Sequence, residues 1–211
     1  MEPVLPLFPL QLVVFPGEDL NLHIFEPRYR QLIQEAEEDG TSFGVPAFIG
    51  GRIMPVGTRM GLKAIEKKYP DGKLDVRTEG LDLFRITELY NPAPDKLYSG
   101  ATIQEMPVNR QGDPLAAREI LEQVRHLFTL LDIQKTLPED ASMFSTYEIG
   151  HHVGFSLEQE YEFLCIGEEA ERQQFMIAHL GQFIPMVEEA NRLRERVKMN
   201  GHFKNIIPPR F

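Results

Sequence analysis

The chain has 211 residues, 42% of them hydrophobic and 26% charged, and a formal net charge of -10. That length suits one large domain or two small ones and can enclose a real core, while the acidic balance argues against a general binder of nucleic-acid phosphates. Cys165 is the only cysteine, which excludes an internal disulfide and fits a reducing compartment; no stretch approaches a membrane span, so the expected location is cytoplasmic.

The opening, LPLFPLQLVVFPGEDLNLHIFEPRYRQLI at residues 5–33, alternates apolar runs with Pro6, Pro9 and Pro16. Proline lacks the N–H that a sheet ladder needs, so these three mark strand ends, edges or bulges. A turn at Pro16-Gly17, a strand over Leu20–Ile24 and a helix from Pro27 to Asp39 closed by Gly40 follow, since proline suits a first helical turn and glycine a helix C-cap. Phe43–Ile49 reads as the next strand. Pro70-Asp71-Gly72-Lys73 supplies turn chemistry between Ala64–Tyr69 and Leu74–Arg77, which predicts a hairpin. Asp82–Ile86 and Tyr98–Glu105 complete the strands. Many short strands with one helix suggest a small, partly closed β-barrel.

Beyond Asp113-Pro114 the period becomes helical. Ile120, Val124, Leu127, Phe128 and Leu131 form one apolar stripe. Ser142 is expected to cap a second helix reaching Val153, and Ser156 with Gln159 a third through a capping box. A fourth runs from Glu168-Glu169 to about Met199 and ends at Asn200-Gly201. Its stripe is Met176, Leu180, Phe183, Val187, Ala190 and Val197, and Pro185 should kink it, eased by Gly181 four residues back. Arg192, Arg194, Arg196 and Lys198 lie among Glu188, Glu189 and Glu195, as on a solvated helix face. The change of period divides the chain into 1–106 and 107–211, two halves expected to pack together.

LPLFPL, VVFPG and HIFEPRYRQL resemble, nearly position by position, the start of the substrate-binding N-terminal domain of Lon proteases, in the form found in stand-alone bacterial LON-domain proteins. Gly57-Thr58 and Asp71-Gly72-Lys73 fit the same family; Leu83 stands where that family usually has Arg. The resemblance implies an α+β fold: an N-terminal PUA-like β-barrel with one helix, followed by a C-terminal helical bundle. It also implies a non-catalytic protein-binding role in capturing unfolded or partner polypeptide, which a separate protease could then receive. Lon's ATPase module and Ser-Lys peptidase domain, which follow this domain in the full-length family, are not expected here; Gly72-Lys73 is followed by Leu74, so no phosphate-cradling loop exists. No cofactor, nucleic-acid or membrane partner is expected, and the oligomeric state is open.

Two other readings compete. A hydrolase could use Ser42, since Gly40-Thr41-Ser42-Phe43-Gly44 matches the G-x-S-x-G pattern; but a nucleophile elbow runs from strand to helix, and here a helix precedes a strand. RNA binding follows only from fold analogy with PUA domains. Adjacent His151 and His152 point about 100° apart on a helix and cannot hold one metal as an i, i+4 pair can, so packing or capping explains them, as it does His179 and His202. Cys165 reads as a small buried hydrophobe, and Glu35, Glu37 and Glu38 as an exposed acidic helix end. Met54 and Met60, in the loop-rich stretch GGRIMPVGTRMG, and nearby Tyr69 are the candidate polypeptide contacts, because flexible methionines suit surfaces that accept varied apolar segments. The groove is expected along that loop or between the two halves.

Overall fold

The structure is a computed structural model and describes residues 4–138, 140–141 and 144–202. Six strands form one mixed sheet: β1 (Leu5–Leu7), β2 (Asp19–Ile24), β3 (Phe43–Ile49), β4 (Arg52–Lys68), β5 (Leu74–Tyr90) and β6 (Ser99–Met106). Their order is β2-β5-β4-β3-β1-β6, and β6 also pairs with β5, so five strands close into a ring and β2 hangs on its outer edge. β5 makes this possible by its length. Its first half, Leu74–Glu79, pairs with β2, and its second half, Leu83–Tyr90, pairs with β6. Register shifts in the β4–β5 and β5–β6 ladders supply the bends that closure needs.

Local chemistry explains the ends of these elements. Helix α1 (Pro27–Asp39) starts on Pro27 and stops at Gly40, whose φ of 64° is the left-handed conformation glycine tolerates. The predicted hairpin turn is present: the Gly72 N–H donates to the Tyr69 carbonyl at 2.9 Å, and Gly72 has φ 82°. Both flanking strands extend much further than expected, so within GGRIMPVGTRMG only Gly50-Gly51 is a turn and Arg52–Gly61 is ladder-forming strand, and Asp82–Ile86 continues β5 instead of standing alone. Pro6 lies inside β1 rather than at its end, a position tolerated in a strand of only three residues.

α1 buries Tyr29, Leu32, Ile33 and Ala36 against the sheet. Its buried side chains join Phe43, Met60, Leu74 and Val76 in one core, with the Phe8 ring stacked 3.8 Å from that of Tyr29. A second core of Leu7, Phe84 and Ala101 fills the ring beside β1 and β6. Leu83, where the family usually has Arg, is fully buried. An apolar side chain fits that place, and an arginine there would have to bury its charge.

The chain crosses between two compact units after Gln111, after Phe144 and after Arg172. The first unit holds the sheet and α1, together with the 3₁₀ helix Thr146–His152, α3 (Leu157–Leu164) and the opening turn of α4 (Glu169–His202). The helical segments after residue 107 therefore do not group as one bundle. Aromatic packing accounts for this: Phe15 stacks on Tyr147 at 5.2 Å and meets Phe163 edge-on at 5.7 Å. In addition, the Val56 N–H of β4 donates to the Tyr161 hydroxyl of α3 at 3.1 Å. The Ser156–Gln159 capping box is formed. Ser142 lies outside the described residues, and the expected second helix is the short 3₁₀ segment that Ser145 precedes.

The second unit contains α2 (Pro114–Leu131) and the remainder of α4. The Asp113 side chain caps α2 by accepting from the Leu115 N–H at 2.9 Å. Gln173 bonds the Asp113 backbone, Glu188 meets His126 at 2.9 Å, and Asn191 donates to the Leu130 carbonyl at 2.9 Å, so the two helices run side by side in the same direction. α4 continues through Pro185 and past Asn200-Gly201 to His202.

Candidate binding site

A cleft of about 890 Å³ opens in the first unit between the C-terminal half of α1, β1, β6 and the start of β3. Its walls include the apolar Leu5, Leu32, Phe43 and Ile103, with Thr41 and Asp39 at its edge. α1 brings Glu35 to it because Glu35 flanks the buried face made by Leu32 and Ala36. This carboxylate accepts from the Tyr98 hydroxyl, from Lys96 Nζ at 2.9 Å and from Gln31 Nε2 at 3.0 Å. Burial alone would raise the Glu35 pKa; hydrogen bonds from Tyr98, Lys96 and Gln31 outweigh it and hold the carboxyl below its usual range. Burial and the same carboxylate push the Tyr98 hydroxyl the other way, so it stays a donor. On the opposite side Arg59 of β4 grips Asp82 of β5 through two hydrogen bonds, with Glu105 of β6 3.8 Å away.

The cleft thus has apolar walls and polar margins where Lys96 pairs with Glu35 and Arg59 with Asp82. Such a surface can accept an apolar side chain and hydrogen-bond polar backbone at its edge. Ser42 lies in this cleft, on the connection from α1 to β3. The helix-to-strand order is the reverse of a nucleophile elbow, as the sequence indicates. Among the described residues, no group of three His, Cys, Asp or Glu side chains could hold a metal ion.

The three sequence candidates are not brought together. Met60 is fully buried in the core, Met54 is half-buried near the start of β4, and Tyr69 lies just beyond its end. Tyr69 donates to Asp75 at 2.7 Å beneath Lys67, whose Nζ is 4.4 Å from the ring centre. His151 is neither a ligand nor a cap; it lies between Glu160 at 2.7 Å and Glu18 at 3.0 Å. Cys165 sits half-buried at the end of α3, and burial pushes its thiol up. Glu35 is no exposed helix end, and its network was missed because Lys96 and Tyr98 lie more than sixty residues away in sequence. Only its place beside the Leu32/Ala36 face marked it.

Sheet, crossing helix and flanking cleft define an α+β domain. The chain belongs to the family described as the ATP-dependent protease La (LON) substrate-binding domain, whose model matches residues 4–180. The crystal structure of a Lon N-terminal domain protein from Xanthomonas campestris is similar at TM-score 0.64 and 22% identity, covering 83% of this chain and 98% of that one. The N-terminal domain of Mycobacterium avium complex Lon protease is similar at TM-score 0.62 and 14% identity, covering 85% and 99% respectively. No curated protein sequence matches the chain. No helix among the described residues is long and apolar enough to cross a membrane.

Proposed function

We propose that this chain is a non-catalytic polypeptide-binding module of the cytoplasm, a Lon-type substrate domain that captures unfolded or partner protein. It samples clients in protein quality control and can pass them to a separate protease. The family match over residues 4–180 carries this reading. The closed strand ring is read as the PUA-like barrel, and the cleft between α1 and β6 as its client site. Apolar burial drives binding at about 25 cal/mol per Å², and a few hundred Å² leaves only modest affinity once association entropy is subtracted. Fast release suits such sampling.

Binding of the purified chain to a reduced, unfolded model protein tests this, read by fluorescence anisotropy. Thr41 is exposed at the cleft edge, so Thr41→Trp should weaken binding about tenfold while the melting temperature holds. Met54→Ser and Tyr69→Ser address the alternative surface on β4. If they weaken binding and Thr41→Trp does not, the client site is on β4 and the cleft assignment fails. Met60→Ser belongs to the core and should instead destabilise the fold by about 2–5 kcal/mol. Binding to none of several unfolded proteins would defeat the whole reading.

A further inference from the structure

The apolar stripe of α4 divides in two. Met176 and Leu180 are fully buried, whereas Met186, Leu193 and Val197 are 67%, 50% and 71% exposed. With exposed Ala190 they recur at i, i+4, i+7 and i+11, which places them on one helical face. Glu188 and Asn191, which reach α2, lie on the opposite face. The exposed stripe is therefore turned away from α2, the other helix of this unit among the described residues. It also lies beyond residue 180, where the family match ends.

We propose that this face pairs with the same face of a second copy, antiparallel across a twofold axis, to form a homodimer. Charge selects both occupant and direction. At 100° per residue, Glu189 and Arg196 flank the stripe on one side, and Val187 and Arg194 on the other. An antiparallel twofold sets each flank against its own copy, reversed. Aligning Met186 with Val197 and Ala190 with Leu193 brings Glu189 within about 3 Å, along the axis, of Arg196 from the other copy, and does so twice. Parallel pairing would instead oppose the flank carrying Arg196 to the flank carrying Arg194. Glu189 has a partner on its own helix, Arg192, only at 3.7 Å and well exposed. The stripe is about 17 Å long, short of the ~800 Å² per partner of a standard interface, so the dimer is weak and concentration-dependent.

Sedimentation equilibrium of the full chain over a wide concentration range tests this. The expected result is a single monomer–dimer equilibrium, with Leu193→Glu and Val197→Glu each raising the dissociation constant about tenfold or more. Glu189→Arg and Arg196→Glu should each weaken self-association, and an equimolar mixture of the two variants should dimerise as well as the unaltered chain, because both cross-pairs are then complementary. A chain that stays monomeric throughout, a dimer indifferent to Leu193→Glu, or charge variants that mixing does not rescue would each overturn the proposal. Thermal melts in dilute solution should match for all variants. A large loss of melting temperature in Leu193→Glu means the face packs within the chain, and also overturns it.

Discussion

Arg172 and Glu169 are both fully buried, and the guanidinium has more partners than its charge alone requires. It donates to Glu169 at 2.7 Å, to the carbonyls of Ile166 and Gly167 at 2.7 and 3.0 Å and to that of Asn109 at 2.9 Å, while lying 4.2 Å from the centre of the Tyr147 ring. Glu169 in turn accepts from the Thr146 N–H at 2.8 Å. The pair thus ties three backbone segments together. Arg172→Ala strands a buried carboxylate and three carbonyls and should cost about 3–5 kcal/mol in urea melts. A cost below about 1 kcal/mol would show that the pair is dispensable. His151 works at the same scale on the surface of the first unit. Burial pulls its pKa down, but hydrogen bonds and charge from Glu160 and Glu18 outweigh this and push it up to about 9. Because the folded pKa exceeds the unfolded one near 6.5, its stabilisation is complete below about pH 6.5 and is lost as pH rises through about 9. With partial exposure discounted, of order 1–2 kcal/mol is at stake. His151→Gln should flatten that part of the stability–pH curve, and parallel curves for the two proteins would contradict this assignment.

At the scale of elements, the closed ring depends on close approach. Phe84 fills it from β5, and a Cβ on Gly57 would lie 2.8 Å from the Phe84 ring and 2.8 Å from the Pro46 backbone. The ring could tilt aside, but the Pro46 backbone in the adjacent strand has no such freedom. Gly57→Ala should therefore destabilise by about 1–3 kcal/mol through overpacking, whereas Gly61→Ala, with its nearest neighbour the Leu81 side chain at 3.4 Å, should be milder. Equal melting temperatures for the two variants would refute the packing argument. The same closeness explains why the Gly-Thr pair at 57–58 belongs where it does: the neighbouring Thr58 hydroxyl is buried and donates to the Val14 carbonyl.

For the whole molecule, the two proposals fall on different units. The unit built on the sheet contains the cleft; the unit built on α2 and α4 carries an apolar stripe beyond the family match. Client capture and self-association should then be separable, so Leu193→Glu leaves affinity for an unfolded model protein within about twofold while Thr41→Trp leaves the dimer intact. Loss of both properties in either variant would contradict that separation. The proposed non-catalytic role requires that the chain turn over neither ATP nor peptide, and turnover abolished in Ser42→Ala protein would reverse this reading.

Where the deciding forces act between near neighbours, the sequence by itself determined the outcome. Pro27 and Gly40 bound α1 to the residue, the Pro70–Lys73 turn made its hairpin, Asp113-Pro114 opened α2, and Ser156 with Gln159 capped α3. Each is a backbone preference or a hydrogen bond spanning a few residues. The β3–β4 hairpin was not foreseen, although its Gly50-Gly51 turn, with both φ angles positive in the structure, uses a local preference of glycine. The tertiary structure alone decided how far the strands run, because ladders between β5 and β6 reward pairing that no local pattern contains. It also decided that Met60 is core, that residues 145–172 belong with the sheet, and that Glu35 meets Tyr98 and Lys96. These outcomes depend on burial against chain many residues away, and burial is a property of the assembled fold rather than of any short window of sequence.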